Sequence, residues 1–151
     1  MRSWQELEVN KAFREEPTDK SEIGRLLDIA ARKMSDAHAD IISCETTYEL
    51  LYDAAYSLCN VVLRANGWRV QFESHHEAVF SAFHHLTDGQ FRILAIQLDD
   101  SRVKRNILHY LGTPDIVSDY EARELRENVL ELKSIVLSWL KENHPDLCPD
   151  T

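Results

Sequence analysis

Residues 49–66 read ELLYDAAYSLCNVVLRAN. Leucine, valine and alanine recur here at helical spacing and cover more than half of the circumference of the helix that they predict. A helix that is apolar on most sides has to be surrounded by other elements, so we expect it at the centre of a bundle. Thr46 or Thr47 is predicted to cap its N-terminus, and Gly67 fits the left-handed position after its end.

The flanking segments predict further helices, and none shows the sustained alternation of a strand. Four glycines and four prolines in 151 residues also favour long helices over many short strands. We therefore predict an all-α fold, an antiparallel bundle of five to six helices over residues 21–144, with an N-terminal extension over 1–20 that packs on the bundle and a C-terminal tail over 145–151. Two of the other predicted helices are capped by serines: one begins at Ser21, and one runs from its cap Ser74 to about Leu86. The remaining helices begin near Gln90, run from Arg102 to Leu111 after a break or cap at 99–101, and run from about Ser118 to Asn143.

Composition narrows the classes of protein to which the chain can belong. The formal net charge is −9, whereas a broad surface for duplex DNA needs an excess of Lys and Arg, so stable binding of duplex DNA is not expected. No apolar run is long enough to span a bilayer, and the polar N-terminus is untypical of a secretory signal. The three cysteines lack CxxC spacing, which is typical of reduced thiols. We therefore expect a cytoplasmic protein that does not bind membranes.

The predicted helix over residues 102–111 carries the largest group of side chains suited to binding or catalysis. Residues three, four and seven apart share a helix face, so guanidinium groups, an amide and an imidazole lie together there. Guanidinium groups match the oxygens of a phosphate in geometry and charge, and an imidazole transfers protons near neutral pH. Such a face could bind a phosphodiester and activate a ribose 2′-hydroxyl without a metal. The candidate catalytic residues are Arg102, Arg105, Asn106 and His109, with Tyr110 beside them.

Helical spacing alone also fits a simpler interpretation of this face. Arginine and histidine are common on solvated helix surfaces, where they form ordinary salt bridges. Asp99 and Asp100 lie directly before Arg102 and could pair with it, as could acidic residues of the last helix. Both interpretations therefore remain open at this point.

Residues 102–110 resemble the motif of the HEPN family, in which an Arg, often followed by a polar residue such as Asn, precedes a His. Arg102 and His109 have six residues between them and fit the loose form of that motif. Arg105 and Asn106 match the Arg–Asn pair, and Tyr110 then lies where the His of the family often falls. Either His109 or Tyr110 can occupy the position of the motif histidine.

One branch of the family is more similar still, and the resemblance runs from about residue 20 to residue 140. That branch carries Arg-x-x-Arg-Asn-x-x-x-Tyr, matched by residues 102–110, and a Gly-aromatic-Arg followed by His-His. The second pattern is matched by Gly67-Trp68-Arg69 and His75-His76, and residues 51–55 resemble the central helix of the branch. We therefore expect Arg69, His75 and His76 to bind substrate.

The resemblance implies a small helical bundle and two alternative functions. Many members of the family are metal-independent ribonucleases that act as toxins or in phage defence, and active members are typically homodimers with facing motif helices. On that hypothesis Arg102 and Arg105 hold phosphate, Asn106 orients the face or the substrate, and His109 transfers the proton, with Tyr110 as a partial substitute. The alternative is a non-catalytic module that binds a nucleotide or a partner protein such as a nucleotidyltransferase.

Two other patterns are interpreted as structural. The histidine pairs at 75–76 and 84–85 lack the closely spaced ligands of a metal site, so no metal or other cofactor is predicted. Tyr48, Tyr52 and Tyr56 recur every four residues on the central helix. This pattern is more typical of packing with one wet edge than of a stacking platform.

Overall fold

The computed structural model describes residues 4–9, 11–71, 76–111 and 116–150. Within these ranges lie six α-helices, one pair of short strands and one 3₁₀ turn. This architecture confirms the predicted all-α helical bundle. The helices are α1 (Trp4–Val9), α2 (Lys20–Asp36), α3 (Cys44–Ala65), α4 (His76–Leu86), α5 (Arg92–Leu111) and α6 (Asp119–Asn143); the strands are β1 (Phe13–Glu15) and β2 (Trp68–Val70), and the 3₁₀ turn is Pro145–Leu147.

Helix α3 lies at the centre of the bundle, as its sequence predicts. It contacts α2, α4, α5 and α6, and most of its side chains are buried. Gly67 follows its end with a φ of +84°, which confirms the predicted left-handed position. Its N-terminal cap is Ser43, whose hydroxyl accepts a hydrogen bond from the backbone N–H of Thr46. The prediction of Thr46 or Thr47 as the cap was wrong because all three hydroxyls are suitable acceptors, and only the path of the backbone selects one.

A small sheet is present where no sheet was expected. Strands β1 and β2 pair antiparallel, with Phe13 opposite Val70. Each strand has three residues, which is too few for an alternating pattern to be recognised in a sequence. The buried side chain of Arg64 donates to the backbone carbonyls of Glu16 and Trp68 and so ties the two segments together. The expectation failed because this pairing depends on contacts between residues far apart in the chain.

Helix α5 is continuous over twenty residues, so the break predicted at 99–101 was wrong. Ser101 is buried, and its hydroxyl donates to the carbonyl of Leu98 in the preceding turn. Asp99 accepts a hydrogen bond from Arg102 one turn later. These contacts satisfy the polar side chains inside the helix, which is why the Asp-Asp-Ser sequence does not end it. Arg102 consequently lies in the interior of a helix and not at its start.

At the N-termini of α2 and α6, a single side chain caps the helix. Asp19 caps α2, because its carboxylate accepts from the backbone N–H of Glu22 over 2.8 Å. Ser21, which was predicted as that cap, lies in the first turn instead. Ser118 caps α6 in a reciprocal capping box with Glu121, at the position where the sequence predicts that the helix begins. The predicted cap of α4, Ser74, lies outside the described residues.

The segments at the two ends of the described chain pack against the bundle. Leu7 of α1 is fully buried, and Phe13 of β1 is almost so. The 3₁₀ turn contacts α6 and α2. None of the helices in the described ranges has both the length and the apolar composition needed to cross a bilayer.

Candidate functional site

The candidate site lies along the contact between α3 and α5. Glu49 and Tyr52 share one face of α3, and Arg105 and His109 share one face of α5, because residues three or four apart lie together on a helix. The guanidinium carbon of Arg105 lies 5.1 Å from the centre of the Tyr52 ring. One turn along, His109 Nε2 lies 3.1 Å from Glu49 Oε1. The order of the two contacts shows that α3 and α5 run antiparallel here.

Arg102 contributes the first guanidinium group and forms an ion pair on its own helix. Its Nε donates to Asp99 Oδ1 over 2.8 Å. This hydrogen bond raises the pKa of Arg102, and the charge of Glu77 on α4 acts in the same direction. The salt-bridge interpretation of this face is therefore confirmed for Arg102.

Arg105 contributes the second guanidinium group and is placed differently. It lies half-buried over the ring of Tyr52, and the ion pairs among the described residues do not include it. Because Tyr52 is fully buried, its ring gives the guanidinium a fixed surface and a favourable cation–π contact. The charge of Arg105 is thus positioned without being neutralised by a described carboxylate.

His76, one of the two histidines predicted to bind substrate, lies against the same tyrosine. Its Nδ1 is 2.7 Å from the Tyr52 hydroxyl, and its ring stacks on Tyr56 with 4.1 Å between ring centres. Burial raises the pKa of Tyr52, so its hydroxyl stays protonated and can donate to the imidazole. The tyrosine stripe therefore packs, as expected, and in addition joins His76 to Arg105. Its spacing of four residues was the only sequence signal for this role.

His109 is half-exposed and is oriented by Glu49, which the sequence analysis did not identify. A carboxylate beside an imidazole is a common way to orient a proton-transfer group and to stabilise its charged form. Asn106 lies half-buried on the same helix and forms no side-chain hydrogen bond with a described residue. The side chain of Tyr110 and all of His75 lie outside the described residues.

An exposed apolar stripe runs along α5 on the side of the helix turned away from Arg105. Val103 is 46% exposed and Ile107 is 40% exposed, although the helical pattern suggests that they pack in the core. Ile93 and Ile96 extend the exposed stripe toward the start of the helix. The helix therefore presents both a cationic and an apolar surface.

Arg69, the remaining candidate substrate-binding residue, lies in a separate cluster of charges. It pairs with Glu16 and, over 2.6 Å, with Glu22 on α2. These carboxylates, through their hydrogen bonds, outweigh the effect of burial and raise the pKa of Arg69. A cavity of about 240 Å³ is lined by Arg69 and Glu22 and also by Tyr56. Arg69 thus lies near the aromatic stack and does not join Arg102 and Arg105.

Neither a metal site nor a known relative helps to identify what this site does. In the described parts of the chain, no group of three or more His, Cys, Asp or Glu side chains could hold a metal ion. No family model matches the chain, and neither a curated protein nor a solved structure shows significant similarity to it. The resemblance to the HEPN family accordingly remains a prediction.

Proposed function

We propose that the chain binds the phosphate groups of RNA or of a nucleotide on the face formed by Arg102, Arg105 and His76. The observation that carries this proposal is the position of Arg105 over Tyr52, without a carboxylate partner among the described residues. A guanidinium group in that state keeps N–H donors for phosphate oxygens. Arg102 adds a second guanidinium one turn away, although Asp99 shares it.

Aromatic rings beside the cationic groups favour a nucleotide over a simple anion. His76 and Tyr56 are half-buried and stack on each other, and His76 also contacts Tyr52, the residue on whose ring Arg105 lies. Proteins that bind single-stranded nucleic acids combine cationic groups with aromatic rings of this kind. The net charge of −9 argues against a long duplex, because only this local face is cationic. The resemblance of residues 102–110 to the HEPN motif supports the same substrate class.

Binding is tested with Arg105→Gln, which removes the charge and keeps a polar side chain. We expect its affinity for a short fluorescent single-stranded RNA to fall about tenfold, because at least one charge-assisted hydrogen bond is lost. The slope of log affinity against log salt concentration should fall by about one. Fluorescence anisotropy at several salt concentrations measures both quantities.

The matched control is Arg32→Gln on α2, where the arginine is exposed and forms no ion pair with a described residue. It changes the net charge equally and should leave the affinity unchanged. Equal losses in the two variants would contradict a defined site at Arg105. Absence of RNA and nucleotide binding by the wild type would reject the proposal.

Metal-independent cleavage of RNA is a second candidate function, favoured by the contact between His109 and Glu49. Glu49 orients the imidazole one turn from Arg105 on the same helix face. In this proposal His109 takes the proton of the ribose 2′-hydroxyl, and the 2′-oxygen attacks phosphorus while the guanidinium groups hold the nonbridging oxygens. The P–O5′ bond breaks, the 5′-oxygen leaves and takes a proton from water, and the other product is a 2′,3′-cyclic phosphate. Binding without cleavage is the alternative that the resemblance leaves open.

Cleavage is tested with labelled RNA and pure protein in EDTA. We expect His109→Ala to lower the rate about 100-fold or more, which is the usual contribution of a general base. His38→Ala changes an exposed histidine at the end of α2 and should retain the activity. If the wild type and His109→Ala share the same background rate, the cleavage candidate fails, whereas the binding proposal depends only on the RNA titration.

The exposed apolar stripe of α5 supports a homodimer as part of this proposal. Val103 and Ile107 lie on the helix that carries the cationic face, and covering them with a second copy would remove apolar surface from water. A twofold axis along this stripe would leave the two copies of Arg105 on the outer sides of the helix pair, because residues two apart point in opposite directions on a helix. Such a dimer would carry two separate cationic faces for RNA.

A further inference from the structure

A second cavity lies on the opposite side of α5 from the RNA-binding face and is independent of the proposed function. It has a volume of about 270 Å³ and lies between α3, α5 and α6. Asp100, Glu121 and Glu124 give it three carboxylates, and Leu125 gives it an apolar wall. Only Lys104 among its lining residues is cationic. The chemistry of the cavity is thus acidic with one apolar side.

Tyr48 reaches this cavity from α3 and is only 7% exposed. Its hydroxyl forms no hydrogen bond with another described residue. Burial raises the pKa of Tyr48, and the charges of Glu121, Asp100 and Glu124 raise it further. Tyr48 and the three carboxylates line the same cavity. The hydroxyl is not among the fully buried unpaired atoms of the described residues and so keeps some access to solvent, and a ligand that enters the cavity can bond to it.

The carboxylates of the cavity differ in how they are engaged. Glu121 is fully used, because one oxygen takes part in the capping box of α6 and the other lies 3.0 Å from Lys104 Nζ. Asp100 and Glu124 are exposed and pair with no cation among the described residues. The contact with Lys104 shows that a carboxylate of the cavity wall already pairs with an ammonium group. Two carboxylates remain available for further positive charge.

We propose that this cavity binds a small aliphatic diamine or polyamine. One ammonium group would lie between Asp100 and Glu124, where it can donate to both carboxylates, with the Tyr48 hydroxyl as a further acceptor. The methylene chain would pack against Leu125 and the Tyr48 ring, which can also attract the cation. Three carboxylates against one lysine leave an excess of negative charge, which matches more than one ammonium group.

The spread of the acidic groups favours an elongated amine over a metal ion. No group of three or more His, Cys, Asp or Glu side chains in the described part of the chain is arranged to hold a metal. A cation such as Mg²⁺ needs several oxygens at about 2.1 Å around a single point. A linear amine instead distributes its charges along a cavity of this size. The geometry of the cavity therefore suits the amine.

The test is isothermal titration of the full chain with 1,4-diaminobutane and with spermidine at constant ionic strength. We expect the wild type to bind and Glu124→Gln to bind about tenfold more weakly, because a charge-assisted hydrogen bond is lost. Tyr48→Phe should bind severalfold more weakly, because the amine loses a neutral acceptor. Neither residue belongs to the RNA-binding face, so both variants should still bind RNA like the wild type if that proposal holds.

The matched control is Glu142→Gln, an exposed carboxylate near the far end of α6. It changes the net charge equally and should bind the amines like the wild type. The proposal is overturned if the wild type binds neither amine, or if Glu142→Gln weakens binding as much as Glu124→Gln does. It is also overturned if MgCl₂ produces the same heats as the amines, because the cavity would then be only an acidic surface.

Discussion

Replacing Arg64 by methionine is expected to lower the free energy of unfolding by about 3–5 kcal/mol, because it removes one partner of a buried network of charges and carbonyls. Arg64 is almost completely buried on α3, and its Nε donates to Glu22 over 2.9 Å. Methionine fills similar space without a donor and leaves these acceptors unpaired. The other acceptors of the guanidinium are the backbone carbonyls of Glu16, Pro17 and Trp68.

Urea unfolding followed by circular dichroism measures this loss. Arg32→Met is the control, because that arginine is exposed and forms no ion pair with a described residue. Arg64→Lys keeps one charge and fewer donors, so its stability should lie between those of Arg64→Met and the wild type. A loss below about 1 kcal/mol for Arg64→Met would show that the network does not stabilise the fold.

Acidification is expected to remove about 2–3 kcal/mol of stability through Glu22, most of it between about pH 5 and pH 2. Partial burial opposes ionisation, but hydrogen bonds from Thr18, Arg69 and Arg64 outweigh it and lower the pKa of Glu22 from 4.5 to about 2. A depressed pKa in the folded state means that the stabilisation is present above the unfolded value. It is lost as the pH falls through the folded value. The pKa of Glu16 is also lowered, first by its hydrogen bond from Arg69.

The free energy of unfolding measured at a series of pH values tests this dependence. Glu22→Gln should be less stable than the wild type at pH 7 and should show a flatter profile between pH 5 and pH 2, because it has no carboxylate to protonate. Asp28→Asn, an exposed substitution on the same helix, should follow the wild-type profile. A profile for Glu22→Gln as steep as that of the wild type would contradict a depressed pKa at this position.

The candidate site shows what helical periodicity can predict about side-chain positions and what it cannot. Spacing on one helix predicts that Arg102, Arg105 and His109 share a face, since their relative positions depend only on helix geometry. It does not reveal that Arg102 pairs with Asp99 while Arg105 lies over Tyr52. Many acidic residues that are as near to an arginine in sequence as Asp99 is to Arg102 form no ion pair with it. Tyr52 belongs to another helix. Which guanidinium group keeps its charge is therefore decided by packing.

Arg69 and His76 make the same point across longer distances. Both lie in the segment whose sequence resembles one pattern, yet Arg69 pairs with Glu16 and Glu22, whereas His76 lies against Tyr52. The contacts of these two residues differ because Arg69 lies on β2 and His76 on α4, and these two elements pack against different parts of the bundle. A motif thus identifies candidate residues without showing which of them converge.

By itself, the sequence determined the helical class of the fold, the central position of α3 and the approximate start of α6 at Ser118, because apolar periodicity is a local property of the chain. The tertiary structure alone decided the pairing of β1 with β2, the continuity of α5 through Ser101 and the contact of Arg105 with Tyr52. The physical reason is that these features depend on partners from other segments or on burial inside the bundle. Such partners become neighbours only when the helices pack.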